Sequence, residues 1–171
     1  MTNLNNIAGR RESKNKAIRF DVRKGKLSHY CGQNEPREEF DFVQGKLKGI
    51  ALRTTEVGGG EMTFMDILME NQGSRFSVSS IASGSATAEI ISKLVNIRDV
   101  NSEIRLEVWA KENFTNCTIR ENGEKLPFRF LPKTVKKQSG FTTSIDSSER
   151  DAAVMDMIKE LNARLGYVPT A

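Results

Sequence analysis

The amino-acid sequence predicts a mainly β fold: a closed barrel of five strands, with a helix between the third and fourth strands and an appendage at each end. Three observations predict it. From Gly45 to Phe130 the hydrophobic period is two in three successive runs, about 3.6 in the next, and two again in the last two. Glycine turns and an Asn-Gly dipeptide separate these runs. The intervening helical run carries one apolar stripe, which suits a plug at the end of a barrel.

Ahead of the barrel, residues 1–16 are rich in Asn, Arg and Lys and have little to bury. Ala17–Val22 alternates Ile18, Phe20 and Val22 with Arg19 and Asp21, and reads as a short strand. Leu27–Cys31 reads as a second, and Gly32 to Pro36 as a loop. Phe40 to Glu56 is the first long strand. Its Gly45 and Gly49 either let it bend into two sheets, or mark bulges or simply interrupt the strand. Gly58-Gly59-Gly60 supplies a hairpin turn. It lacks the Lys-Ser/Thr and the helix of a phosphate-binding loop.

In the second strand Met65, Ile67 and Met69 share one face, and Phe64, Asp66 and Leu68 the other; both faces carry apolar residues. In the third, Phe76 and Val78 face the core, opposite Arg75, Ser77 and Ser79. Ser83 or Ser85 can cap the helix, whose stripe is Ile90, Leu94 and Ile97, widened by Ile91. The fourth strand sets Ile104, Leu106, Val108 and Ala110 against Arg105, Glu107, Trp109 and Lys111. The single tryptophan therefore shares a face with two cations, unless the arm or the helix covers it. In the fifth, Cys117 and Ile119 point inward and Thr118 and Arg120 outward. Asn122-Gly123 is a tight turn, and Leu126–Leu131 returns as a last strand with Phe128 and Phe130 on one face. Pro132 ends the body. QSGFTTSIDSS reads as a linker, and Ser148-x-x-Asp151 as a helix start. Val154, Ile158, Leu161 and Leu165 then form a stripe that Gly166 stops. That helix either packs back on the barrel or meets a protein partner.

The chain thus divides into a basic N-terminal arm (1–37), a barrel (38–132), a linker (133–147) and an amphipathic C-terminal helix with its tail (148–171). This strand–strand–strand–helix–strand–strand order is that of the oligonucleotide/oligosaccharide-binding (OB) fold.

Of the 171 residues, 37% are hydrophobic and 28% charged, which fits a modest core with polar arms. The net charge of +4 is unevenly spread. Residues 1–37 carry nine basic and three acidic residues. Residues 38–143 carry fourteen of each, and residues 144–171 three basic and five acidic. A basic arm on a neutral body suits a partner with an extended negative surface, or merely keeps a tail solvated. No segment has the ~20 apolar residues of a membrane span. The first residues lack the apolar run of a secretion signal, which predicts a cytoplasmic location and no membrane. Two cysteines and one histidine, with dispersed carboxylates, predict neither a metal site nor a cofactor nor catalysis.

The segments GKLKGI, KLVNI, IRLEVW and NGEKL, in this order and spacing between Phe40 and Phe130, resemble the phage-type single-stranded-DNA-binding proteins built on a single OB barrel. The resemblance implies coating or channelling of single strands in replication or recombination, in the host cytoplasm if phage-encoded. Such proteins often end in an acidic tail with an aromatic-apolar tip that recruits partners. This chain ends GYVPTA, so recruitment is absent or falls to the terminal helix.

On this reading Lys46, Lys48, Arg53, Arg75, Arg105, Lys111 and Arg120 track phosphates, while bases stack on Trp109 and on Phe64 or Phe114. The alternative function is an adaptor barrel that binds a protein through its terminal helix or an edge strand. The neutral charge of residues 38–143 favours it. Both readings admit a homo-oligomer.

Overall fold

The computed structural model describes residues 18–169, so the Asn-, Arg- and Lys-rich stretch at 1–16 and Ala17 of the basic arm lie outside the described residues. Among the described residues eleven strands and two helices follow one another. Strands β1 (Ile18–Arg23), β2 (Lys26–His29) and β3 (Glu38–Phe40) precede the long β4 (Phe42–Val57), β5 (Gly60–Asn71) and β6 (Ser74–Ile81). Helix α1 (Ser85–Leu94) leads to β7 (Glu103–Lys111), β8 (Phe114–Glu121) and the two-residue β9 (Glu124–Lys125). The chain closes with β10 (Val135–Ser139), β11 (Thr142–Asp146) and α2 (Ser148–Leu165). Among the described residues no helix is long and apolar enough to cross a membrane.

Nine strands form one large, open sheet in the order β3-β2-β1-β6-β5-β4-β7-β8-β9. The run β6-β5-β4-β7-β8 contains the five strands the alternation predicts, with α1 between the third and fourth. The third does not pair with the fifth, however. β6 instead runs parallel to β1, Ile18 opposite Phe76 and Asp21 opposite Ser79. The end of the basic arm is thus part of the sheet. Its β1–β2 hairpin turns through Lys24 and Gly25, both at positive φ, and Gly25 lies against the backbone of Ala110 in β7. There only glycine avoids a clash. The long first strand breaks at Asp41, whose carbonyl accepts a hydrogen bond from the Val108 amide (3.0 Å) and whose carboxylate pairs with Lys26. Because β3 passes into β4 through this one residue, the sheet curls on itself.

Alternation decides what the curl encloses. Val43, Leu47 and Ile50 of β4 meet Met65, Ile67 and Met69 of β5, Val78 of β6, Ile104, Leu106 and Val108 of β7, and Cys117 and Ile119 of β8. The two-sided β5 is settled in favour of its Met-Ile-Met face, with Met65 and Ile67 fully buried. Ile90, Ile91, Leu94 and Ile97 bring α1 onto this core, where it contacts both β6 and β8. Burial pushes the Cys117 thiol up to about 12.

Four local expectations are corrected. Gly84, not Ser83 or Ser85, caps α1, with no side-chain cap; the Thr87 hydroxyl instead bonds the Ile81 carbonyl. Leu126–Leu131 is not a strand. Pro127 lacks a donor, and the segment crosses α1 through Arg129 N–H to the Ser92 carbonyl (2.7 Å) and Asn96 Nδ2 to the Pro127 carbonyl (2.9 Å). The linker contains the β10–β11 hairpin, turned by Gly140 at φ +62°. The cap of α2 is Ser147 rather than Ser148; its hydroxyl reaches the Asp151 carboxylate at 2.7 Å.

Helix α2 packs back. Val154, Met157, Ile158 and Leu161 are buried against α1 and β4. Arg164 donates to the Val95 (3.0 Å) and Ile97 carbonyls just beyond the end of α1. Beyond a bulge at Lys48, β4 has left β7, and its Ile50 needs a partner on that edge. The Asn162 amide supplies it, accepting from Ile50 N–H at 2.8 Å and donating to Ile50 C=O at 2.9 Å. Gly49 adjoins that bulge, and the Tyr167 ring rests on it, where a side chain would overlap.

Candidate nucleic-acid interface

The outer face of β7 and β8 is built by register. Arg105 lies opposite Arg120, Glu107 opposite Thr118, Trp109 opposite Asn116, and Lys111 opposite Phe114. Paired residues share a face, so the alternation that buries Leu106, Val108, Cys117 and Ile119 turns this set outward. β4 extends it with Phe42 opposite Glu107, Gln44 opposite Arg105 and Lys46 opposite Glu103. Trp109 is 44% exposed and Phe114 61%. The indole N–H of Trp109 donates to Thr118 Oγ1 at 3.4 Å. The Arg105 guanidinium stacks 3.6 Å from the Phe42 ring centroid, a cation–π contact that presents an aromatic and a cation together.

Carboxylates neutralise part of this surface. Glu107 Oε1 lies 3.1 Å from Arg105 Nε and 3.7 Å from Arg120 Nε. The first approach is poorly aligned, and Arg105 Nε stays buried without a hydrogen bond. Lys111 has no ion pair among the described residues.

The predicted residues fall into three groups. Arg105, Trp109, Lys111, Phe114 and Arg120 share the β7–β8 face. Lys46 joins them through β4 and stands opposite Glu70 on its other side; Lys48 and Arg75 each lie 4.0 Å from the Glu70 carboxylate. A recess of about 280 Å³ lined by Phe20, Phe42, Gln44, Arg75 and Phe76 lies between Arg75 and Phe42. Arg53 and Phe64 stand apart, at the far half of β4 and β5. From Lys46 to Arg53 is seven residues, about 23 Å along a strand. Arg53 lies 5.0 Å over the Phe64 ring and binds Asp66 (2.9 and 3.3 Å) and Ser79 (3.2 Å). Its hydrogen bond to Asp66 raises its pKa, so it stays charged. With Arg19, Arg23 and Ile81 this pair lines a groove of about 610 Å³.

Sequence reasoning missed Phe42 and the neutralising role of Glu107. Phe42 was accessible, because it continues the outward alternation of Gln44 and Lys46; the role of Glu107 was not, because it depends on the register of β7 with β8 and β4. No protein family, curated protein or solved structure matches the chain.

Proposed function

We propose that the protein binds single-stranded nucleic acid, single-stranded DNA in replication or recombination, with little sequence preference, on the wall formed by β4, β7 and β8. The observation that carries this reading is the half-exposed Trp109, set between Phe114 and the Phe42–Arg105 stack and beside Lys111, which has no ion pair among the described residues. Indole and phenyl faces stack on any base, and nearby cations meet phosphates. On this reading β4–β8 and α1 are an OB barrel, a fold that is itself partly open. β1 takes the parallel place beside β6, and α1 spans the gap between β6 and β8. An adaptor that docks through its terminal helix loses support, because the α2 stripe is covered by the protein's own core.

Trp109 is the sole tryptophan, so its fluorescence reports on the wall directly. Titration with oligo-dT at low salt should quench it, and affinity should fall steeply as salt rises. Trp109→Ala should weaken binding about tenfold, by the usual ~1–3 kcal/mol of base stacking. Absence of both quenching and a gel shift at low salt would refute the function; full affinity in Trp109→Ala would refute the wall.

A further inference from the structure

We infer that the β10–β11 hairpin is a second contact for the same single strand, an arm that adds one aromatic and two lysines beyond the β4–β7–β8 wall. The inference rests on the proposed single-strand binding. A two-stranded hairpin is at best marginally stable alone, and is normally retained by packing on something. Among the described residues this one pairs only with itself, and every residue of it except Asp146 is exposed. Phe141, beside the Gly140 turn, is fully exposed.

Charge selects the occupant. Residues 133–146 carry Lys133, Lys136 and Lys137 against Asp146 alone. Lys137 is held by Asp146 at 2.6 Å, while Lys133 and Lys136 have no ion pair among the described residues. An uncovered ring beside free cations on an extended ribbon complements a polyanion with stacking bases. The arm is also well placed. At its root, Arg150 donates to the Ser83 carbonyl at 2.8 Å. Ser83 is two residues from Ile81, which lines the Arg53–Phe64 groove. The root of the hairpin therefore lies near that groove.

The test uses the full chain with fluorescein-labelled oligo-dT, in wild type, Phe141→Ala, Lys133→Ala/Lys136→Ala and Trp109→Ala. The strands of the hairpin are exposed except at Asp146, so its variants should keep the wild-type Tm. Phe141→Ala should bind about tenfold more weakly. The double lysine variant should lower the log–log salt slope by about 1.4, the share of two phosphates on a single strand. Bromodeoxyuridine oligonucleotides should photocrosslink to the peptide carrying Phe141. If wild type binds and Trp109→Ala weakens it, but the hairpin variants match wild type in affinity and slope, the arm is not a contact. Variants that keep affinity yet lose self-association in light scattering would make it an interface between copies, and overturn the inference. No binding by wild type at any salt would overturn the wall and the arm together.

Discussion

Asn162 should hold more stability than any other polar side chain of α2. It is 6% exposed and Ile50 1%, and its amide makes both missing strand bonds of Ile50 at 2.8 and 2.9 Å. Asn162→Leu keeps the branched shape, with two methyl groups in place of the amide oxygen and nitrogen, and removes both bonds, leaving a buried N–H and a buried C=O without partners. Each stranded group costs about 1–3 kcal/mol, so the expected loss is about 2–6 kcal/mol. That is a large part of the ~5–15 kcal/mol that holds a typical domain together. Asn162→Asp should be worse at neutral pH, since it sets a carboxylate against the Ile50 carbonyl oxygen. Urea unfolding followed by circular dichroism measures the loss, and hydrogen exchange at the Ile50 amide locates it. If Asn162→Leu costs less than about 0.5 kcal/mol and the Ile50 amide stays protected, the claim that α2 completes the β4 edge is wrong.

Gly49→Ala should drive Tyr167 off its seat and cost about 1–3 kcal/mol, with a smaller penalty in a Tyr167→Ala background, as a double-mutant cycle would report. Glu121 is 4% exposed. Burial alone would push its pKa up, but the Asp99 amide (2.9 Å), the Ser102 hydroxyl (2.7 Å), the Arg98 amide and the Arg98 guanidinium together hold it below the usual 4.5. Its contribution is therefore full above pH 4.5 and is lost as pH falls through the depressed value; unfolding midpoints from pH 7 to 3 should drop less in Glu121→Gln than in wild type. With the Cys117 thiol pushed up to about 12 and 2% exposed, a native thiol assay at pH 8 should count fewer groups than the same assay in guanidinium, the difference being Cys117. Glu107→Gln should release Arg105 and Arg120 and tighten oligo-dT binding, with a salt slope steeper by about 0.7 for each phosphate newly neutralised.

What the sequence makes legible is local. Period-two runs with glycine turns mark β4 to β8, and Trp109 points outward because Leu106 and Val108 point inward. The partner of β1 was not legible, because Ile18 and Phe20 alternate as they would beside any strand. Parallel pairing with β6 is a long-range choice, made where Phe20 meets Phe76 edge-on. The break at Asp41 was hidden for a similar reason: the period runs on through it, and only the Val108 and Lys26 contacts bend the chain. The hairpin at 135–146 was masked by its Ser, Thr and Gly content, which also describes a linker. Asn162 flanks the apolar stripe of α2 and signals nothing alone; its use depends on a bulge more than a hundred residues earlier. At the site, the faces of the aromatics and cations were readable, but not their neutralisation. Glu107 becomes the shared partner of two arginines only once β7, β8 and β4 are in register.

This pairing bears on how a body with equal numbers of acids and bases could hold a polyanion. Arg53, Arg105 and Arg120 are matched by Asp66 and Glu107, but the matches are partly exposed, with arginine side chains 33–42% accessible. Partly exposed pairs of this kind contribute little net stability, so a phosphate can replace a carboxylate as the arginine's partner at small cost. Each such exchange yields less than an uncommitted cation would. On the proposed reading, affinity must therefore lean on stacking at Trp109 and Phe114 more than on charge. Removing an aromatic should weaken binding at every salt concentration, whereas removing Arg105 or Arg120 should matter chiefly at low salt, where counterion release dominates. Surfaces that bind mainly by charge show the reverse order, and a salt series on Trp109→Ala and Arg120→Ala separates the two.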